Sequence, residues 1–267
     1  MVILAPIVKL TDKATFDVFK VCSLPLIVVR LQDLVSKRKF KFNSLYHDIV
    51  SRGGLHNYLK FDGEILLSLI MKDEMLAHLK ASQYAEAINS LLPDFCTTVD
   101  GETYEGEYSL SISELSRINK ENEELTRLSP KCTLYGLVKG CTQHQIEEHI
   151  RHLRALRIDD LVFHVGDYFR NGDPNLIMRA RDYSTIIRRH ARRLILYGMG
   201  SQKRLLEFSF ADVYATFNHF VTAKNGMQFV GTKKVKYNGS YRPEIVTSNF
   251  LQMNENVRLL VKQTKLR

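Results

Sequence analysis

Eight short apolar runs, most of them followed by a segment of helical period, predict an α/β chain wound as a compact (β/α)8 barrel with a short C-terminal β-ribbon and helix. At 267 residues the chain suits one barrel near the lower size limit of that fold, and a single domain over residues 1–267 is expected. The same alternation also fits an open, doubly wound parallel sheet, which is the rival architecture.

The runs are Val2–Val8, Pro25–Arg30, Glu64–Ile70, Phe95–Val99, Thr133–Val138, Asp160–Val165, Arg193–Tyr197 and Phe208–Tyr214. Near-continuous apolar character marks strands buried on both faces, as a parallel barrel requires. Helices are expected near Lys13–Val21, Asn43–Val50, Lys72–Leu92, Ile112–Leu128, Gln143–Leu156, Pro174–Arg192, Gln202–Glu207 and Thr216–Ala223. Ser111-Ile112-Ser113-Glu114 has the spacing of a capping box, and Asp173-Pro174 places an N-cap acceptor before a proline at the first helical position. After Gly226, Met227–Val230 and Lys234–Tyr237 flank Gly231-Thr232 as a β-ribbon, and Asn238-Gly239 is a hairpin-type turn signal. Residues 254–266 read as a basic helix against the barrel.

Hydrophobic residues at 45% and charged residues at 25% are ordinary for a globular chain and leave no tract biased toward disorder. The formal net charge of +9 points to a polyanionic partner, and nucleic acid is expected. The excess falls late: Arg179, Arg181, Arg188, Arg189, Arg192 and Arg193 lie on or beside one helix, followed by Lys233, Lys234, Lys236, Arg242, Arg258, Lys262, Lys265 and Arg267. A solvated outer helix face explains the arginines equally simply; phosphate contact by Arg188, Arg189, Arg192, Lys233 and Lys234 is the preferred reading. Cys22, Cys96, Cys132 and Cys141 lack zinc-ribbon spacing and read as free thiols. The run Met1–Leu10 is too short to span a bilayer and lacks a signal peptide's charged start, so a cytoplasmic protein without membrane attachment is expected.

Barrels of this kind carry function at the carboxyl ends of their strands. Applied to the runs above, that rule selects Ser68, Asp100, Lys139, Asp167, the Gly198-Met199-Gly200 turn, and Asp212 with Tyr214. Gly198–Ser201 can present backbone N–H groups to a phosphate or a planar base, or form a tight turn with no ligand. His149 and His152 share a helix face with no evident third ligand, so a solvated face is expected rather than a metal site. Ser68 lacks a nucleophile elbow and reads as a packed strand residue.

Four stretches resemble the tRNA-guanine transglycosylases, the archaeosine branch most closely. These are the Gly53–Gly63 loop leading into Glu64–Leu69, Pro93–Asp100, Leu134–Cys141, and the segment from Leu196–Gly200 through Ala211–Thr216 to Ala223–Gly226. The resemblance implies a base-recognising role for Asp100, with Lys139 where the family has a base-contacting glutamine, Gly140 after it, and Gly198 and Gly200 beside the base. It also implies a loss. Ser68 stands at the first catalytic aspartate, and the nucleophile position falls on Ala215 in the archaeal register or Asn218 in the bacterial one. The family's zinc site has no counterpart, and no cofactor is implied. The expected protein is therefore a nucleic-acid-binding or partner subunit, working with an active paralogue or with itself as a dimer. The alternative is an active 7-deazaguanine transglycosylase on DNA or tRNA with displaced acids, Asp167 or Asp212. A barrel enzyme acting on a small phosphorylated substrate at Gly198–Ser201 is a third option.

Overall fold

The structure is a computed structural model that describes residues 2–128, 130–200, 202–237 and 241–264. Strands β1 (Ile3–Val8), β2 (Leu26–Arg30), β3 (Glu64–Ser68), β4 (Phe95–Thr97), β5 (Thr133–Val138), β6 (Leu161–His164), β7 (Leu194–Tyr197) and β8 (Val213–Thr216) form a closed parallel barrel in chain order. Closure is direct: β1 pairs with β2 on one side and with β8 on the other, Ala5 opposite Ala215. The open sheet is thereby excluded.

Around the barrel lie helices α1 (Asp17–Val21), α2 (Ser44–Ser51), α3 (Leu55–Leu59), α4 (Asp73–Leu76), α5 (Ala81–Leu91), α6 (Tyr108–Arg127), α7 (Gln143–Ala155), α8 (Pro174–His190), α9 (Gln202–Glu207) and α10 (Asn218–Lys224). Strand alternation explains the two layers of core. Ala5, Ile7, Leu26, Val28, Leu66, Leu137, Val162, Ile195 and Val213 fill the barrel interior. Leu4, Ile27, Val29, Ile65, Leu67, Leu161 and Leu194 face outward onto the helices. Among the described residues, no helix is long and apolar enough to cross a membrane.

Several boundaries differ from the sequence expectation for identifiable reasons. The last barrel strand is Val213–Thr216, because Phe208 is not in a strand at all; it packs edge-on against Phe169 at 5.6 Å beneath the preceding loop. The Lys72–Leu92 helix divides into α4 and α5. Ser111 is not a cap: α6 begins at Tyr108, and the buried Ser111 hydroxyl donates to Gln145 Oε1 at 2.7 Å, tying α6 to α7. The Asp173 cap forms as expected, its Oδ1 accepting from the Asn175 N–H at 2.8 Å ahead of Pro174 at the helix start.

The ribbon is β9 (Met227–Val230) antiparallel to β10 (Lys233–Lys236), and α11 (Pro243–Thr264) is longer than expected. Asn249, fully buried on α11, joins three pieces: its Oδ1 accepts from Phe229 N at 2.7 Å, and its amide donates to the carbonyls of His219 and Met227 at 3.2 Å. The Asn238-Gly239 turn, Ser201, Lys265 and Arg267 lie outside the described residues, as does the side chain of Lys262.

Candidate functional site

The barrel's carboxyl rim carries a cleft over β3–β6, with two adjoining chambers of about 330 and 290 Å³ that share Tyr104, Lys139, His164 and Asp167. The period-two alternation of each strand delivers the inward residue at its last position: Arg30 from β2, Ser68 from β3, His164 from β6 and Tyr197 from β7.

Asp100, just beyond β4, is the best-tethered acid. Its Oδ1 accepts from the Gly101 N–H at 2.8 Å and from Lys139 Nζ at 2.9 Å, and its Oδ2 accepts from Met71 N at 3.1 Å. A carboxylate offers about four acceptor directions, so one is left for a ligand. The loop behind it is fixed by Arg117, which donates to the Asp100 carbonyl at 3.0 Å and pairs with Glu114 and Glu121. Lys139 reaches Asp100 from the end of β5, and its own N–H donates to His149 Nδ1 at 2.9 Å. Gly140, at φ +143, leaves no room for a side chain, since a Cβ would lie 2.9 Å from the Cβ of Gln145; its N–H donates to Thr103.

Opposite this pair, His164 Nδ1 stands 3.4 Å from Asp167 Oδ2. Tyr104 closes the cleft from the loop after β4, its hydroxyl donating to both Asp73 oxygens at 2.6 Å; burial and that carboxylate hold its phenol protonated, well above the usual range. Deeper in, Tyr197 stacks edge-on with His164 at 5.4 Å, and burial pushes its phenol up to about 12. Arg30 pairs with Asp33 at 2.7 Å and lies 4.9 Å from the Phe217 ring; burial raises the Asp33 pKa in spite of the arginine.

Asp100, Lys139, Gly140 and Asp167 thus share one cleft, and Ser68 and Ala215 face the barrel interior beneath the rim. Other expected members do not join them. Asp212 precedes β8, so it sits at the opposite, amino end of the barrel, where it accepts from Arg188 at 2.7 Å and from Leu194 N at 2.8 Å. The last strand begins at Val213, later than the apolar run suggests, which moves Asp212 from the mouth to this end. Tyr214 points outward and donates to the Phe208 carbonyl at 2.6 Å. Gly198, at φ +85, is required because a Cβ would come within 3.0 Å of Gly166. Both Gly198 N–H and Met199 N–H donate to the Ala215 carbonyl, so the turn does not offer those two groups to a phosphate. Gly200 follows in the same turn, without such crowding.

No protein-family model matches the chain, and no curated protein matches it. Site roles therefore rest on geometry.

The expected nucleic-acid residues separate into two groups. Arg188 and Arg192 lie at the amino end, paired with Asp212 and Asp160, and Arg189 is exposed beside them. Lys233 and Lys234 belong to the ribbon, and Lys234 Nζ donates to Asn218 Oδ1 at 3.2 Å on the mouth side. The histidine face of α7 is not solvated: His149 is buried against the end of β5, and burial beside His152 pushes its pKa down to about 3. Sequence reasoning missed His164, Arg30, Tyr197, Tyr104 and Asp73. Arg30 and Tyr197 end expected strands, so the rule that found Ser68 also reaches them, and continuing the Val162 alternation by one step reaches His164. Tyr104 sits in the loop after β4 and Asp73 at the start of α4, and no local pattern announces their meeting.

Proposed function

We propose that this protein is a transglycosylase-like barrel that binds a purine or 7-deazaguanine base in the cleft over β3–β6 and serves nucleic-acid modification as a binding or partner subunit, without base exchange of its own. The observation that carries the reading is what occupies the two expected aspartate positions. Ser68 is fully buried in the barrel, its Oγ accepting from Ile70 N at 3.3 Å, and Ala215 presents only a methyl group to the interior. Base exchange through a covalent intermediate needs a carboxylate to attack the anomeric carbon and an acid to protonate the departing base. In the other register Asn218 is no better, since its Oδ1 already accepts from Lys234 and Thr222. Recognition groups remain: Asp100 and Lys139 match a base's donor and acceptor edge, and the Tyr104 and His164 rings supply planar faces nearby.

One observation favours the active alternative on DNA or tRNA: the His164–Asp167 pair and Asp100 line the same cleft. Incubation of the isolated chain with labelled guanine or 7-deazaguanine and with tRNA or duplex DNA separates the readings. No incorporation is expected. Incorporation that disappears in Asp167→Asn, and survives in Asp212→Asn at the far end of the barrel, overturns the non-catalytic reading.

A further inference from the structure

The rim of the mouth is divided by charge. Over β3–β6 the two chambers are lined by the carboxylates Asp73, Glu74, Asp100, Glu105, Asp167 and Asp173, against Lys72 and Lys139, with Arg179 paired to Glu105 beside them. Over β8 and β1 the sign reverses. Lys9, following β1, lies 5.5 Å from the Phe220 ring, and Lys224 stands over the rings of Phe220 and Tyr241 at 5.4 and 3.8 Å. Beside them the ribbon carries Lys233, Lys234 and Lys236, all exposed. Of these five lysines only Lys224 has a carboxylate partner among the described residues, Asp12 at 3.4 Å; the hydrogen bond of Lys234 goes to the neutral amide of Asn218. The arginines at the amino end differ, since Arg188 and Arg192 are each neutralised by an aspartate.

We propose that the β8–β1 side of the mouth, comprising Lys9, Lys224 and the ribbon lysines, holds the phosphodiester backbone of a nucleic acid, while the acidic half admits only an uncharged base projecting from that strand. This rests on the base-binding reading of the cleft. Unpaired lysines gain affinity by releasing phosphate counterions, and the carboxylate-lined half repels phosphate, so a polymer is steered to one side and its base to the other. An anionic bilayer is the other polyanion to consider. The contact of Lys234 with Asn218, at the first turn after β8, favours the strand, because it sets the ribbon on the carboxyl rim, the same rim into which the cleft opens.

The test uses the full chain and a fluorescein-labelled single-stranded oligonucleotide, with binding followed by anisotropy as salt is varied. The side chains of Lys233 and Lys236 are exposed and make no ion pair or hydrogen bond among the described residues, so the Lys233→Glu, Lys236→Glu double variant keeps its fold, checked by an unchanged melting midpoint. The proposal predicts a loss of roughly tenfold or more for that variant and a shallower log–log salt slope by about 1–2, with Arg189→Glu binding as the unaltered chain does. It also predicts that guanosine 5′-monophosphate binds more weakly than guanine, and that guanine binding is the same in the double variant. Undiminished oligonucleotide binding by the double variant, an equal loss in Arg189→Glu, or ribbon-dependent binding to phosphatidylserine vesicles without oligonucleotide binding overturns it. If guanine fails to bind while ribbon-dependent oligonucleotide binding holds, the cleft reading falls and the backbone site stands.

Discussion

His219 on α10 is fully buried, with neither ring nitrogen hydrogen-bonded among the described residues and the Phe250 ring edge-on at 5.3 Å. Burial pushes its pKa down to about 3, as it does for His149, whose Nδ1 accepts from the Lys139 N–H and would face that donor if protonated. Both rings fold neutral, whereas the unfolded chain takes up a proton near the ordinary value of 6.5. Their contribution is therefore intact above about pH 6.5 and lost as pH falls toward 3, by up to about 1.4 kcal/mol per pH unit for each ring. Denaturant midpoints should drop between about pH 7 and about pH 5, and His219→Leu should flatten that drop. An equally steep drop in the variant contradicts this account of His219. Gly198 is a second residue under tight constraint: at φ +85, with Gly166 at 3.0 Å from any added Cβ, Gly198→Val should destabilise the chain by about 1–3 kcal/mol in denaturant titrations and leave the rim loops misplaced.

Among elements, the strands were legible wherever a run was continuous and apolar: Thr133–Val138 has the same bounds in sequence and structure, and β1, β2, β6 and β7 differ by a residue or so at their ends. The eighth strand was misread because Phe208 and Phe210 look like strand residues yet serve as packing under a loop, and that displacement carried Asp212 to the wrong end of the barrel. The α6 start was misread because a serine three residues ahead of an acid mimics a cap, whereas the Ser111 hydroxyl is used between helices. The ribbon and α11 depend on one residue no pattern singled out. Asn249→Leu leaves the Phe229 N–H and the His219 and Met227 carbonyls short of a partner, at a cost of about 1–3 kcal/mol. Hydrogen exchange should speed up first in residues 227–236; uniform protection would contradict the role given to Asn249.

Over the whole molecule the two ends of the barrel do different work. The amino end pairs its charges, with Arg188 on Asp212 and Arg192 on Asp160, and the Gly53–Gly63 loop lies there, feeding β3, with His56 Nε2 hydrogen-bonded to Asp94 at 2.9 Å. The carboxyl end gathers the tethered Asp100–Lys139 pair, the His164–Asp167 pair and the Tyr104–Asp73 bond around one cleft. Part of this was readable from the chain, because barrel topology alone sends the residues after β4, β5 and β6 to one rim. The opposition of an acidic and a basic half was not, since Lys9 and Lys234 are far apart in sequence and meet only through Phe220, Asn218 and the closure of β1 on β8. Equilibrium titration of guanine into the unaltered chain and into Asp100→Asn is the most direct measurement of the central claim. Binding by the unaltered chain, weakened roughly tenfold or more in the variant, is predicted, since a hydrogen bond to a charged group contributes about 1.5–3 kcal/mol; absent binding, or equal affinity in the two proteins, contradicts it.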